Sequence, residues 1–330
     1  MENKCIKKRD YLSVERTVCV KGILAVAVLF HHLYQNGGAF KSSSIGTVLQ
    51  ALGYLSVSFF LFLSGYGLMY SYKHKGKQYL RSMVKKRVIP FYIIIVFCTL
   101  LYIGAGLALG RSFGLGELTL SFLIGDTVII NGWYLQVQLL LYLLFLFSFY
   151  VAEKNSDLLK TAVLTVCVAA YIFLAAGLLA STWYESVAAF VIGVLFCHFR
   201  EKIDTLLASL KMWIVCFALL AAAFAATFML MLTFYQTGAS VIIKGLNSVV
   251  FVMCAAVALM RLPVACGVTR FLGSISLEIY VTQGIFLELF RCERLYVCSI
   301  LLYTVLVIAA TVVSSLMLHP LFRRIYSIWK

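Results

Sequence analysis

Long apolar stretches recur along the whole chain and are separated by short polar segments. A helix needs roughly 17–25 mostly apolar residues to cross about 30 Å of hydrocarbon, and the stretches approach or reach this length. Few charges interrupt them, which favours helices over short alternating strands. The pattern predicts an all-α, polytopic membrane protein with about ten transmembrane helices, at residues 18–35, 51–72, 88–109, 132–151, 161–180, 183–199, 211–234, 239–260, 271–290 and 296–318.

Composition supports this prediction for nearly all of the chain. Of the 330 residues, 63% are hydrophobic and only 12% are charged, and the mean hydropathy is +0.98. These values are far from those of average soluble domains and are typical of integral membrane proteins. We therefore expect a single transmembrane domain over residues 1–330, embedded in a lipid bilayer, with no fused extracytoplasmic domain.

The distribution of lysine and arginine predicts the orientation. Successive loops alternate, so that one side of the membrane takes 23 of the 28 basic residues, seven of them in the segment 73–87, and the other side takes five. Basic residues accumulate in cytoplasmic loops. Both termini are therefore predicted to be cytoplasmic. The same bias accounts for the net charge of +15, so that no nucleic-acid partner is needed to explain it.

The first predicted helix carries ionisable groups at both ends of an apolar run, KGILAVAVLFHHL, residues 21–33. At about 100° and 1.5 Å per residue, Lys21 and His32 share a face and lie roughly 16 Å apart, whereas His31 points about 80° away. Ionisable side chains inside a membrane are costly, and a histidine can act as a general base towards a hydroxyl group. His32 is thus a candidate catalytic residue. The alternatives are a histidine that ties two helices together and, for Lys21, a topological anchor.

Other polar positions have both a functional and a structural interpretation. Ser64, Gly65 and Gly67 form a patch of small residues suited to close helix packing. Trp133 lies at a predicted outer boundary, where aromatic residues commonly anchor helices. Glu278 falls inside the ninth span and needs a partner, for which a histidine or lysine of the first span is a candidate.

The segment 73–87 and the outer stretch 110–131 are the main polar regions between spans. Lys85, Lys86 and Arg87 either set the topology or form a cytoplasmic phosphate-binding mouth. The stretch 110–131 is amphipathic enough to lie on or dip into the outer face, as a lid, as an acceptor-binding element or as a plain loop. The scattered cysteines are interpreted as small buried hydrophobic residues, and no metal site is predicted.

Five motifs together resemble the bacterial membrane acyltransferase 3 family. KGILAVAVLFHHL is similar to its first-helix motif, in which an arginine is followed by ten residues and a histidine, and FFLFLSGYG, KKRVIPFY, WYLQVQLLLY and SISLEIYVTQ follow in the family's order. The resemblance implies an enzyme of a bacterial plasma membrane that transfers an acyl group, usually acetyl, to a hydroxyl of a cell-envelope or exported carbohydrate. The donor would be cytoplasmic acyl-CoA, with no permanently bound cofactor.

The resemblance also implies roles for particular residues. It places the catalytic histidine at His32, the basic residue of the first motif at Lys21, the serine–glycine pair at Ser64 and Gly65, the basic pair before proline at Lys86 and Arg87, and the late motif at Glu278 and Tyr280. The second candidate catalytic residue is Glu278, which would orient or charge His32. With Lys85, the basic residues would bind acyl-CoA, while Ser64, Gly65, Trp133 and Tyr280 would support the site.

Three positions depart from the family pattern. Lys21 replaces an arginine and loses its bidentate fork, Val84 occupies the place of a second arginine, and Gln283 stands where a histidine commonly follows the late motif. The alternative function is a proton-coupled transporter of a small polar metabolite, with His32 and Glu278 as the proton relay.

Overall fold

The computed structural model describes residues 10–37, 44–123, 128–234 and 239–329, and within these ranges it contains helices and no strands. This confirms the predicted all-α, polytopic class. The helices are α1 Val14–Gly37, α2 Ser44–Met83, α3 Ile89–Ala108, α4 Leu115–Leu123, α5 Trp133–Val151, α6 Asp157–Leu178, α7 Ala188–Leu206, α8 Leu210–Thr233, α9 Ala239–Leu259, α10 Gly267–Ser274, α11 Ser276–Leu289 and α12 Ile300–Ile328. The described part of the chain has eight helical segments long and apolar enough to cross a membrane.

The second and third predicted spans form one such segment, residues 44–108, in which the chain reverses direction. Gly76 has φ 55° and ψ −141°, a conformation that is easy only for glycine, and a π-helical turn at Val84–Val88 leads into α3. Residue 53, near the start of this segment, and residue 102, near its end, both lie at the level of the histidine pair. The chain therefore runs away from this level and returns to it. We call the end of the bundle that carries His31 and His32 the distal end, and the end that carries the segment 73–87 the basic end.

Burial separates central helices from peripheral ones. In the most apolar stretch of each segment, the buried share of residues is 67% for the segment that contains α7 and 56% for α1. It is 11% for α8 and 22% for both α6 and α12. Large apolar side chains cover the outer faces of the peripheral helices, for example Phe173, Leu219 and Met317. Such surfaces suit contact with lipid, whereas α1 and α7 hold the interior together.

Glycines allow the central helices to approach closely. A Cβ atom on Gly65 would lie 2.1 Å from the Phe190 carbonyl oxygen, and one on Gly193 would lie 2.1 Å from the Phe62 carbonyl oxygen, so α2 and α7 meet backbone to backbone. The close packing predicted for Gly65 is therefore present. Gly67 is different, because no atom lies within 4 Å of its Cβ position, and it does not take part in this contact.

Several predicted boundaries change in the structure. The ninth span is two helices, α10 and α11, because Ile275 leaves the helical conformation (φ −115°, ψ 18°), and at 8 and 14 residues neither is long enough to cross alone. The apolar segment of the sixth span begins at Ser181, but its α-helix begins only at Ala188, so that Glu185 lies in the turn before α7. The predicted number of ten crossings and the cytoplasmic termini stay predictions.

The stretch 110–131 contains α4, which lies on the surface of the bundle, since Ser121 is the only buried residue of this helix. The Tyr92 hydroxyl, at the basic end of α3, donates to the Phe122 carbonyl oxygen at 3.2 Å, so α4 runs back alongside α3. Residues 128 and 129 then pack against α3 in the interior. The stretch therefore runs along the surface at α4 and is buried at residues 128 and 129, while residues 124–127 lie outside the described chain. The predicted roles as a lid, as an acceptor-binding element or as a plain loop stay predictions.

Candidate active site

A cavity of about 480 Å³ opens at the distal end, within the size range of small-molecule sites, roughly 300–1,000 Å³. Both histidines of α1 line it, together with side chains from α2, α5, α9, α11 and the turn before α7. The hydrogen-bonding and aromatic members of its wall are Tyr34, Gln35, Thr47, Gln50, Tyr54, Asn131, Trp133, Thr182, Glu185, Lys244 and Tyr280. The wall is therefore rich in groups that can bind a polar ligand.

The two histidines differ in their surroundings, as the helical geometry predicted. His31 uses Nδ1 to contact the Leu49 carbonyl oxygen at 3.0 Å, which fixes its ring against α2 beside Gly53. His32 is 6% exposed, its Nδ1 has no hydrogen-bond partner among the described residues, and Gln283 lies beside its ring. His32 lines the cavity, but its Nδ1 atom has almost no accessible surface, and buried polar atoms normally have a hydrogen-bond partner. His32 therefore has free hydrogen-bonding capacity, whereas one nitrogen of His31 is already engaged.

The aromatic side of the cavity is held by Tyr280 and Trp133, which were both predicted as supporting residues. The Tyr280 hydroxyl donates a short hydrogen bond to the carbonyl oxygen of Asn131, whose φ of 58° lies in the left-handed region. Tyr134 packs edge-on against both Trp133 and Tyr280, with ring centroids 6.4 and 5.2 Å apart. Asparagine tolerates this backbone conformation, and the Tyr280 bond helps to keep the turn before α5 at the cavity.

Ser64 and Gly65 lie outside the cavity wall. Ser64 accepts a hydrogen bond from Gln138 Nε2 at 2.8 Å, which joins α2 to α5, and Gly65 contacts α7. Both residues therefore join helices by packing, and their predicted supporting role at the site stays a prediction.

Glu278 has a partner that differs from the predicted one. Its Oε1 lies 2.8 Å from Nδ1 of His319 on α12, and the side chains are 5% and 26% exposed, respectively. The expectation that a first-span histidine or lysine is its partner is wrong in this structure, because the carboxylate faces α12. Glu278 is also outside the cavity wall, and within the described chain no hydrogen bond joins it to His32, so its predicted catalytic role stays a prediction.

At the basic end, Lys21 and Arg87 lie close enough to repel each other. The hydroxyls of Tyr79, Tyr142 and Tyr326 lie near the Arg87 guanidinium, and the Tyr79 hydroxyl is buried without a hydrogen-bond partner among the described residues. Among the described residues, no carboxylate forms a salt bridge with either cation. Two neighbouring cations without an acidic partner, faced by phenol groups, form an electrostatically favourable site for an anion.

The other two predicted basic residues, Lys85 and Lys86, are exposed on the same π-helical turn that carries Arg87. Of the three basic residues of this turn, only Arg87 is partly buried, so the structure distinguishes it from Lys85 and Lys86. Lys85 and Lys86 can attract an anion to the mouth by long-range charge, which is a weaker and salt-dependent effect.

The cation pair, the Glu278–His319 pair and the cavity lie at three successive levels along the bundle. Gly273 of α10 packs on Val18 and Gly22 packs on Thr269, which places the start of α11 near the level of Lys21. Gln283 lies at the level of His32, and Glu278 precedes it by five residues, or about 7.5 Å along a helix. The Glu278–His319 pair therefore lies between the cation pair at the basic end and the cavity at the distal end.

Comparison with known proteins identifies the family. A model of the acyltransferase 3 family, described as an acyltransferase domain, matches residues 19–319. The chain belongs to the acyltransferase 3 family. Neither a curated protein nor a solved structure matched the chain significantly. The protein is thus a membrane acyltransferase, an enzyme that transfers groups other than aminoacyl groups, and the predicted resemblance is confirmed.

Three residues of this acyltransferase were not predicted as site residues. Glu185 and Lys244 form a salt bridge in the cavity wall, and His319 pairs with Glu278. Each carried a signal in the sequence. Lys244 is a basic residue within an apolar span, Glu185 opens the sixth span, and His319 follows the tenth span directly and precedes Pro320. Ionisable groups at such positions are candidates for function by default.

Proposed function

We propose that this acyltransferase moves an acyl group, acetyl by family resemblance, from cytoplasmic acyl-CoA to a hydroxyl group of a carbohydrate at the outer face of a bacterial plasma membrane. The single observation that carries the proposal is the arrangement of two unlike sites on one helix. The cation pair at Lys21 and the histidine-lined cavity at His32 lie roughly 16 Å apart along α1. This separation suits a donor with a charged head and a long, narrow acylated arm.

The donor enters at the basic end. Its phosphates bind Lys21 and Arg87, where the three tyrosine hydroxyls supply further hydrogen bonds. Exposed Lys85 and Lys86 draw the anion to the mouth. The arm then extends beside α1 towards His32 and brings the thioester carbonyl to the inner wall of the cavity.

The acceptor enters from the distal end and meets the thioester at His32. The imidazole accepts the proton of the acceptor hydroxyl while the hydroxyl oxygen attacks the thioester carbonyl carbon and forms the new C–O bond. The C–S bond then breaks, and the proton returns from the imidazolium to the departing thiolate. Gln283 beside the ring and the buried setting keep His32 oriented, while the Glu278–His319 pair completes the polar path below it.

The test separates recognition of the phosphates from chemistry at the histidine. Binding of acetyl-CoA and of acetyl-pantetheine, which lacks the nucleotide phosphates, is measured by calorimetry on purified protein in nanodiscs. Arg87→Ala is expected to weaken acetyl-CoA binding at least tenfold, since charge-assisted hydrogen bonds are worth about 1.5–3 kcal/mol, and to leave acetyl-pantetheine unaffected.

Lys75→Ala is the matched control, because Lys75 is an exposed cation of the same basic segment. It is expected to bind acetyl-CoA as the wild type does. Equal weakening by the two substitutions would indicate a diffuse charge effect and contradict the specific site. A folded wild type that does not bind acetyl-CoA would refute the proposed donor.

A further inference from the structure

We propose that the Glu185–Lys244 ion pair is a charge filter for the acceptor, so that the distal cavity selects a neutral, polyhydroxylated molecule over an anionic or cationic one of the same size. This inference rests on the proposed function and adds the residues that determine acceptor class. It assigns a binding role to two side chains that belong to neither the donor site nor the His32 chemistry.

The pair is part of the cavity wall and is held there firmly. Lys244 Nζ lies 3.2 Å from Glu185 Oε2, and the side chains are 21% and 5% exposed, so the carboxylate is the deeper of the two. The Glu185 backbone amide donates to Ser181 at 3.0 Å, and Ser186 Oγ donates to the Tyr54 carbonyl oxygen at 3.2 Å. The turn before α7 is thereby fixed to α2.

The carboxylate retains capacity to bind a ligand. Lys244 donates a hydrogen bond to Oε2 of Glu185. Within the described chain Oε1 accepts no hydrogen bond, and this atom is not fully buried. Its charge reaches the His31 ring and the Tyr54 hydroxyl, which line the same cavity. Oε1 can therefore accept a hydrogen bond from an acceptor hydroxyl next to the histidine pair.

Stability alone gives a weak reason for such a pair. Removing two charges from water carries a large desolvation penalty, and an apolar pair of similar volume often serves the fold equally well. Here the pair faces a cavity whose other polar members are amides, hydroxyls and the imidazoles of His31 and His32, with the indole of Trp133 in the wall. Neutral hydrogen-bonding groups and an aromatic face suit a sugar ring.

The selectivity follows from charge balance. With both partners present, their charges cancel, and the cavity gives little electrostatic advantage to a charged acceptor, which must also lose its hydration on entry. Without the carboxylate, Lys244 favours an anion. Without the ammonium, Glu185 favours a cation. The two single substitutions must therefore change acceptor preference in opposite directions.

The experiment measures acetyl transfer in nanodiscs at saturating acetyl-CoA to three acceptors of similar size: methyl glucoside, the corresponding uronate and a hexoside that carries a trimethylammonium group. The wild type is expected to prefer the neutral acceptor at least tenfold in kcat/KM. Glu185→Gln should shift the ratio at least tenfold towards the uronate, and Lys244→Met at least tenfold towards the cation. The double variant, which buries neither charge, should return to the neutral preference.

The outcomes distinguish this inference from the donor proposal. Losses that are uniform over the three acceptors would indicate a structural role and overturn the filter. A wild type that binds acetyl-CoA but acetylates no neutral hexoside would also overturn it, while the donor site would stand. Failure to bind acetyl-CoA at all would contradict the proposed function itself. If Lys244→Met does not fold, the shift in acceptor preference of Glu185→Gln tests the charge filter by itself. This variant is expected to fold because Lys244, which it leaves unpaired with Glu185, is partly exposed.

Discussion

The contact between α2 and α7 offers a sharp test of the structure, because a single added methyl group must displace backbone. We consider Gly65→Ala and Gly193→Ala. In each variant the new Cβ would lie 2.1 Å from a carbonyl oxygen of the other helix, whereas ordinary contacts begin at 3.4 Å. The helices must therefore separate locally by about 1.3 Å (from 2.1 to 3.4 Å).

The magnitude follows from what has to move. Overpacking of a core typically destabilises a protein by about 1–3 kcal/mol when side chains can adjust. Here the obstructing atoms are helical carbonyl groups of Phe190 and Phe62, which cannot rotate away without weakening helix hydrogen bonds. We therefore expect a loss near the upper end of this range for each variant.

Gly67→Ala is the control on the same helix. No atom lies within 4 Å of its Cβ position, and alanine is favoured over glycine in a helix by about 1 kcal/mol. Heating in detergent followed by size-exclusion chromatography gives the apparent melting temperature of each variant. Gly65→Ala and Gly193→Ala should melt well below the wild type, and Gly67→Ala at or above it. Equal melting of Gly65→Ala and Gly67→Ala would refute the close approach of the two helices.

Two further predictions concern the polar contacts around the site. Glu278→Gln and His319→Gln should each reduce acetyl transfer. Because the two residues are in direct contact, their effects in a double-mutant cycle should be non-additive by about 0.5–3 kcal/mol. Additive effects would contradict the pairing. Tyr280→Phe removes only the hydroxyl that holds the Asn131 carbonyl, at about 1 kcal/mol, so KM for the acceptor should rise several-fold with no change in acetyl-CoA binding. An unchanged acceptor KM would argue against this positioning role.

Much of the fold follows from local pattern. Apolar runs of membrane-spanning length predicted helices, and the spacing of Lys21 and His32 predicted that these two side chains share one face of the first helix. The break at Ile275 was missed although Gly273, Ser274 and Ser276 flank it, because small residues of this kind also suit close helix packing and no proline marks the end of α10. A short interruption of this kind depends on what packs around it, which hydropathy does not reveal.

The partners of the polar residues were harder to predict. A buried Glu278 requires a partner, but the sequence cannot indicate which of several helices faces it, and His319 on the last helix was overlooked because it lies just past the predicted span. Glu185 and Lys244 are 59 residues apart and meet only after α7 and α9 assemble. Long-range pairing of this kind is fixed by packing and not by local sequence.

The central claim is that His32 performs acyl transfer at the meeting point of donor and acceptor. It is tested most directly by the acceptor-dependent release of thiol from acetyl-CoA in nanodiscs, for the wild type, His32→Gln and His31→Gln. We expect His32→Gln to lose about 10²–10⁴-fold in rate while still binding acetyl-CoA, and His31→Gln to lose much less, since one ring nitrogen of His31 is already engaged by the Leu49 carbonyl. A His32→Gln variant that transfers acetyl at the wild-type rate would contradict the account.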